Sequence, residues 1–218
     1  MKSTIANGAS GATVRAALNA MFDELYGTWA SFVAGRWYGT VQAGIYAAGS
    51  ASAANSIKLY PFFLRDGATI SDLAAHVTTL AAAGNFSLAI YANDPATMRP
   101  TGNALAATGS ISTAATGEIS ADITGSDVTL APGLYWAAMN KDNGTAVFKI
   151  PALTSAFPGW LLGSATLATA TNGSTSTITH ISTPQAYGTW PDLTSATFTE
   201  AGGSSQFGAL WFKVSAIP

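Results

Sequence analysis

The chain contains no cysteine among its 218 residues, which excludes disulfides, thiolate metal sites and cysteine nucleophiles. It is also poor in charge. Asp, Glu, Lys and Arg make up 9% of the residues, against roughly 25% in ordinary soluble domains. The nine basic residues form no run and are outnumbered by eleven acids, so the basic footprint that draws a protein to nucleic acid is missing. No window offers the ~18 consecutive apolar residues of a membrane span. The opening KSTIANGASGAT is too polar for the core of a secretory signal. The expectation is a chain made in a cytosol, without nucleic-acid partners or membrane insertion.

What is present is apolar and small. Hydrophobic residues reach 48%, and Ser, Thr, Asn and Gly supply most of the remaining polarity. A folded chain of this length exposes on the order of 9,000 Å². Covering that area with so few charges leaves a surface that is cheap to desolvate, and subunit interfaces are depleted in the same charged types. The composition therefore suits packing against copies of the chain or against neighbouring proteins.

Residues 10–29 read SGATVRAALNAMFDELYGTW, with Val14, Leu18, Met21, Phe22 and Leu25 at the 4-3-4 spacing of one helical face. Ser10 fits an N-cap and Gly27 a stop, which predicts a helix over about 12–26. Four turns are not stable alone in water, so the stripe must be buried against something. We read residues 1–35 as an attachment or oligomerisation segment and 36–218 as a β domain.

Beyond a connector rich in Gly, Ala and Ser, which becomes an irregular first strand around Trp37 to Tyr46, short β-branched or aromatic runs alternate with turn clusters. The clearest runs are SIKLYPFFL, TISDLAAHVTTL, FSLAIYA, GEISADI, GLYWAAMN, TAVFKI and ALWFKVS. The predicted fold is mainly β: an antiparallel, jelly-roll-like sandwich preceded by one short amphipathic helix. Asn143-Gly144 and Asn172-Gly173 predict tight hairpins with positive φ. Pro61 predicts an edge strand or a bulge, because proline cannot donate to a ladder. Residues 151–163 read as a long loop.

Titratable groups are too sparse to propose a reaction. Asp72 and His76 share a strand face but lie about 13 Å apart at ~3.3 Å per residue, as do Glu118 and Asp122. Neither spacing serves as an acid–base pair, and glycosidase carboxylates stand roughly 5–9.5 Å apart. NKDNG holds only half of a calcium loop, and no other catalytic, cofactor or metal motif occurs. The chain reads as non-enzymatic, with no cofactor.

Aromatic side chains remain, and in loop-like, charge-poor settings they can stack on sugar rings. Trp37, Tyr38, Trp160 and Tyr187 are the ligand-binding candidates, with Trp190 a weaker one. Tyr135, Trp136, Trp211 and Phe212 lie within strands and read as core or inter-subunit packing.

The segment IANGASGATVRAALNAMFDELY resembles the N-terminal segments of tailed-phage virion proteins. A pattern S-G-x-x-x-R-x-x-L-N-x-x-F-x-x-L-Y recurs there and falls on Ser10, Gly11, Arg15, Leu18, Asn19, Phe22, Leu25 and Tyr26. FSLAIYANDPATMRPTGNALAATGSIST, VTLAPGLYWAAMN and ALWFKV resemble the β-sandwich of phage tail-fibre and head-fibre proteins. That family's G-I-Y-x-D-x-x-x-x-P-G element is approached by residues 89–94 and by Pro100-Thr101-Gly102. YGTWPDL resembles the family's Y-x-x-L-P-x-L connection into the last strand, which makes Trp190 structural. The resemblance implies a homotrimeric fibre or spike in the virion, attached to other virion proteins through its helix and binding a host surface polysaccharide. The alternative it implies is a capsid decoration, cement or tail-assembly protein with no host ligand.

Overall fold

The computed structural model describes residues 10–26, 32–40, 46–151, 178–202 and 208–218. The chain divides into two compact units, Met1–Val33 and Ala34–Pro218. In the first, helix α1 spans Gly11–Tyr26. Ser10 caps it: the Thr13 amide donates to Ser10 Oγ at 3.3 Å, and the Val14 amide to the Ser10 carbonyl at 2.9 Å. The first contact satisfies an amide that the first turn leaves without an intrahelical acceptor, and the second is the first i→i−4 bond of the helix. On the predicted stripe Val14 is half-buried and Leu18 is exposed, whereas the side chains of Met21, Phe22 and Leu25 lie outside the described residues.

The second unit is a β-sandwich. In chain order its strands are β1 (Trp37–Gly39), β2 (Tyr46–Ala48), β3 (Ser56–Leu64), β4 (Ala68–Thr79), β5 (Asn85–Asp94), β6 (Arg99–Ala107) and β7 (Ile111–Ser112). They continue as β8 (Gly117–Asp122), β9 (Val128–Leu130), β10 (Gly133–Lys141), β11 (Val147–Pro151), β12 (Ile178–Pro184), β13 (Thr199–Gly202) and β14 (Trp211–Ala216). All pairings among the described residues are antiparallel. One sheet runs β1-β14-β4-β11-β2, with β8 and β9 also paired to β4. The other runs β13-β12-β3-β10-β5-β6, with β7 on β5.

β4 organises the first sheet. Its twelve residues pair with β14 and β11 along one side and with β8 and β9 along the other. Buried Ala68 and Ile70 are followed not by a buried residue 72 but by buried Leu73, Ala75 and Val77. The phase slips at Ser71–Asp72, where the β14 register also shifts between Lys213 and Val214. This is a β-bulge, and it turns both Ser71 and Asp72 away from the core.

The sheets meet through alternate side chains. Phe62 lies 6.1 Å from Phe212, and Phe86 meets Phe148 edge-on at 4.9 Å, each pair spanning the two sheets. Each such fully buried side chain contributes about 1.5–3 kcal/mol from area removed from water. The second sheet is covered on its other face as well. There Ile57, Leu59, Tyr91, Trp136 and Ile181 pack with Leu193, Trp190 and Phe198 from the connection between β12 and β13. The Tyr91 hydroxyl donates to the Pro191 carbonyl at 3.0 Å, and the Leu193 amide to the Gly102 carbonyl at 2.9 Å, which holds that connection down.

Three local expectations are corrected. β3, which carries Pro61, is an interior strand between β10 and β12 rather than an edge. The β12 ladder ends at Leu59–Ile181, so Pro61 sits past it, opposite Trp136 of β10, and no N–H is missed. Asn143-Gly144 does not close a hairpin, because β10 and β11 belong to different sheets and neither residue has positive φ. Asn143 Oδ1 instead accepts the Thr145 and Ala146 amides at 3.2 and 2.8 Å, an Asx turn that carries the chain across the sandwich. The irregular strand at Trp37–Tyr46 is seen as two pieces, β1 and β2. Asn172-Gly173 and residues 152–163 lie outside the described residues.

Candidate functional site

Of the four aromatic candidates, the structure places one on an open face beside charged groups. β1, β14, β4 and β8 lie side by side, and their registers align Trp37 with Lys213, Lys213 with Asp72, and Asp72 with Asp122. Since side chains in direct register share a face, the four form a single row across the outer surface of the first sheet. Trp37 is 42% exposed, enough to leave much of its indole open to a ligand. Lys213 Nζ lies 6.0 Å from the indole centroid and 3.4 Å from Asp72 Oδ2. The next row holds Gly39, Trp211, Ala74 and Ser120, so small residues flank the Trp211 indole. Tyr46 packs on it at 5.2 Å. A third position along β4 and β8 pairs His76 Nδ1 with Glu118 Oε1 at 3.1 Å.

The carboxylates here were separated by strand distance along one chain segment, but the ladder sets Asp72 directly opposite Asp122. Cross-strand Cβ atoms stand ~5 Å apart. The bulge places the Ser71 hydroxyl 2.5 Å from Asp72 Oδ2 as a donor. Burial pushes the Asp72 carboxyl up, but hydrogen bonds from Ser71 and Asp122 and the Lys213 ammonium outweigh it and hold it below the usual range. Asp122 is raised by its hydrogen bond to Asp72 and then by that group's charge. Of the two, Asp72 gives up its proton first and Asp122 is the one that keeps it longer. Glu118 is lowered by a backbone hydrogen bond and then by His76.

Carboxyls bonded to each other on a flat face do not straddle a glycosidic bond in the way either hydrolytic geometry needs. As a recognition surface the row is better equipped: an aromatic plane, an ammonium, and carboxylate and hydroxyl acceptors within a few ångströms. Among the described residues, no three metal-ligating side chains converge.

The other candidates are not brought to this face. Tyr38, next to Trp37, points inward and packs 6.0 Å from Phe212. Tyr187 is fixed in the second sheet's covering segment, its hydroxyl donating to the Phe86 carbonyl at 3.1 Å and lying 2.8 Å from Ser110 Oγ, whose proton it can accept. Trp190 packs edge-on to Tyr91 at 6.2 Å. Trp160 lies outside the described residues. Sequence reading missed Lys213 and assigned Trp211 to packing alone, although the alternation in WFKVS sets both on one face. It also missed the Asp72–Asp122 pair, which only strand pairing creates.

A comparison with protein-family models finds no match, and a comparison with curated proteins finds none either.

Proposed function

We propose that this chain is a virion surface protein of a tailed phage or phage-like particle, a fibre or spike held by its N-terminal helix and binding a host surface glycan through the outer face of its first sheet. The observation that carries the binding half is the Trp37–Lys213–Asp72–Asp122 row. Sugar rings offer C–H faces to an aromatic plane and hydroxyls to charged acceptors and donors, and this row presents both without a cleft. The virion half is supported by the resemblance of Ser10 to Tyr26 and of the β5 to β6 segment to fibre proteins. It is also supported by a charge-poor surface suited to assembly and by the separate helical unit. No chemical step is assigned to the chain.

Glycan-array binding of the full chain, alongside Trp37→Ala, tests the binding half. Retention by the unaltered chain of a surface polysaccharide that the variant does not hold is the expected outcome; equal signals from both would remove the row from the reading. Immunogold labelling of particles tests location, with label expected on projecting structures. Label confined to the shell surface, together with no glycan retention, would favour the alternative of a decoration or cement protein, for which the exposed Leu18 on the helix stripe is the supporting observation.

A further inference from the structure

Between the two sheets, Lys58 is flanked by two other basic side chains, one on each side, on the inward face of the second sheet. Lys58 of β3 is in register with Met139 of β10 on one side and with Ser182 of β12 on the other. Lys141, two residues from Met139 on the same face, is a diagonal neighbour of Lys58 toward Ser56, whereas His180, two residues from Ser182, is a diagonal neighbour on the opposite side, toward Tyr60, two strands and four residues from Lys141. The face is the one that packs on the first sheet, because Lys141 Nζ lies 6.0 Å from the centroid of Phe148.

Lys141 is 3% exposed, and its ammonium, which has three N–H groups, donates to the Ala146 carbonyl at 2.7 Å. Lys58 is half-buried and makes no hydrogen bond or ion pair among the described residues. Burial, then the Lys58 charge, lowers Lys141 to about 8 and His180 to about 4, so Lys141 keeps its proton at neutral pH while His180 does not.

Among the described residues of the β unit, no carboxylate pairs with these charges. The described carboxylates of the β unit are engaged elsewhere: on Arg65, Arg99, Lys213 or His76, as acceptors for turn amides or hydroxyls, or, for Asp122, on Asp72 across the outer face of the first sheet. Residues 41–45, 152–177 and 203–207 contain no Asp or Glu in sequence. Two ammonium groups in a low-dielectric interior repel each other, and an uncompensated buried charge is costly.

We propose that Lys58 and Lys141 form a site between the sheets for a small tetrahedral oxyanion. Lys58, the more accessible of the two lysines, supplies the entry contact, and Lys141 supplies N–H donors from inside. A tetrahedral oxyanion presents acceptors in several directions at once, which suits donors arriving from adjacent strands, and its charge offsets both ammonium groups. This site is separate from the Trp37 row and stands or falls independently of glycan binding.

Sulfate is the probe, because it stays a dianion across the pH range in which Lys141 titrates. Calorimetric titration of the full chain near neutral pH, with ionic strength held by sodium chloride, should show saturable uptake of one sulfate per chain. Lys58→Met should weaken it by roughly tenfold or more, the loss expected for one charge-assisted contact. Lys149→Met, on the first sheet beside inward-facing Phe148, should leave it unchanged. Raising the pH well above 8 should abolish uptake by the unaltered chain, a readout that does not depend on any variant folding. Absence of saturable uptake at neutral pH, uptake that persists at high pH, or equal uptake by a folded Lys58→Met chain would overturn the site.

Discussion

Lys213 stands between Trp37 and Asp72, its ammonium 6.0 Å from the indole centroid and 3.4 Å from the carboxylate. Both contacts depend on a single strand, β14, lying between β1 and β4. The ion pair is partly exposed, so it adds little to stability. Its consequence is positional: the ammonium is held at the edge of an open aromatic plane.

Trp37→Ala should therefore separate binding from folding. Loss of the aromatic plane is expected to weaken glycan binding by about 1–2 kcal/mol, while the thermal midpoint moves little because the ring is on the surface. Parallel binding and melting measurements check both; a large drop in melting temperature would show that the indole belongs to the core.

Burial, assisted by the Lys58 charge, depresses His180 from 6.5 to about 4. The unfolded chain thus binds a proton that the fold refuses, and stability should be full above pH 6.5 and fall as pH drops toward 4. The full loss is about 3 kcal/mol. Denaturant titrations at a series of pH values should show the decline, and His180→Gln should flatten its upper part, where few carboxylates yet titrate.

Gly84 is buried where a Cβ would run into Asn143 Nδ2 and Thr113 Oγ1. Thr113 is tied to Ala81 and Gly84 by hydrogen bonds, and Asn143 to Asp142, so neither side chain can yield freely. Gly84→Ala is expected to cost about 1–3 kcal/mol from overpacking. Chemical denaturation measures it, and an unchanged midpoint would mean that the turn relaxes.

The Tyr60 hydroxyl accepts the Leu210 amide at 2.6 Å and lies 2.6 Å from Thr40 Oγ1, joining the second sheet to the first. Burial pushes this phenol well above its ordinary range, so it is neutral at any working pH. Tyr60→Phe strands a buried amide and should cost about 1–3 kcal/mol. The Leu210 amide should also exchange faster with deuterium; protection equal to that of the unaltered chain would count against the bond.

The sandwich was legible because its strands alternate strongly, and all seven of the clearest runs are strands. Less visible were features set by pairing rather than by local pattern. The Ile70-to-Leu73 spacing, three where alternation predicts two, was the one local trace of the bulge that exposes Ser71 and Asp72. Asn143-Gly144 carries a turn signal that says nothing of which sheet receives the next strand, so a crossing between sheets reads as a hairpin. Asp72 meets Asp122 fifty positions away only through a ladder, and Trp37 gains Lys213 the same way across most of the domain. Trp37 itself was readable as an exposed aromatic, but its neighbour Tyr38 could not be told apart from it until the strand fixed which of the two pointed inward.

The connection carrying Trp190, Leu193 and Phe198 lies against the second sheet as a third layer. An uncovered sandwich has two broad faces and can rest on a plane either way up. With one of them occupied by its own chain, the two faces that the described residues form are unlike, and a flat target such as a cell envelope or a capsid lattice would meet a connecting segment in one orientation and sheet strands in the other.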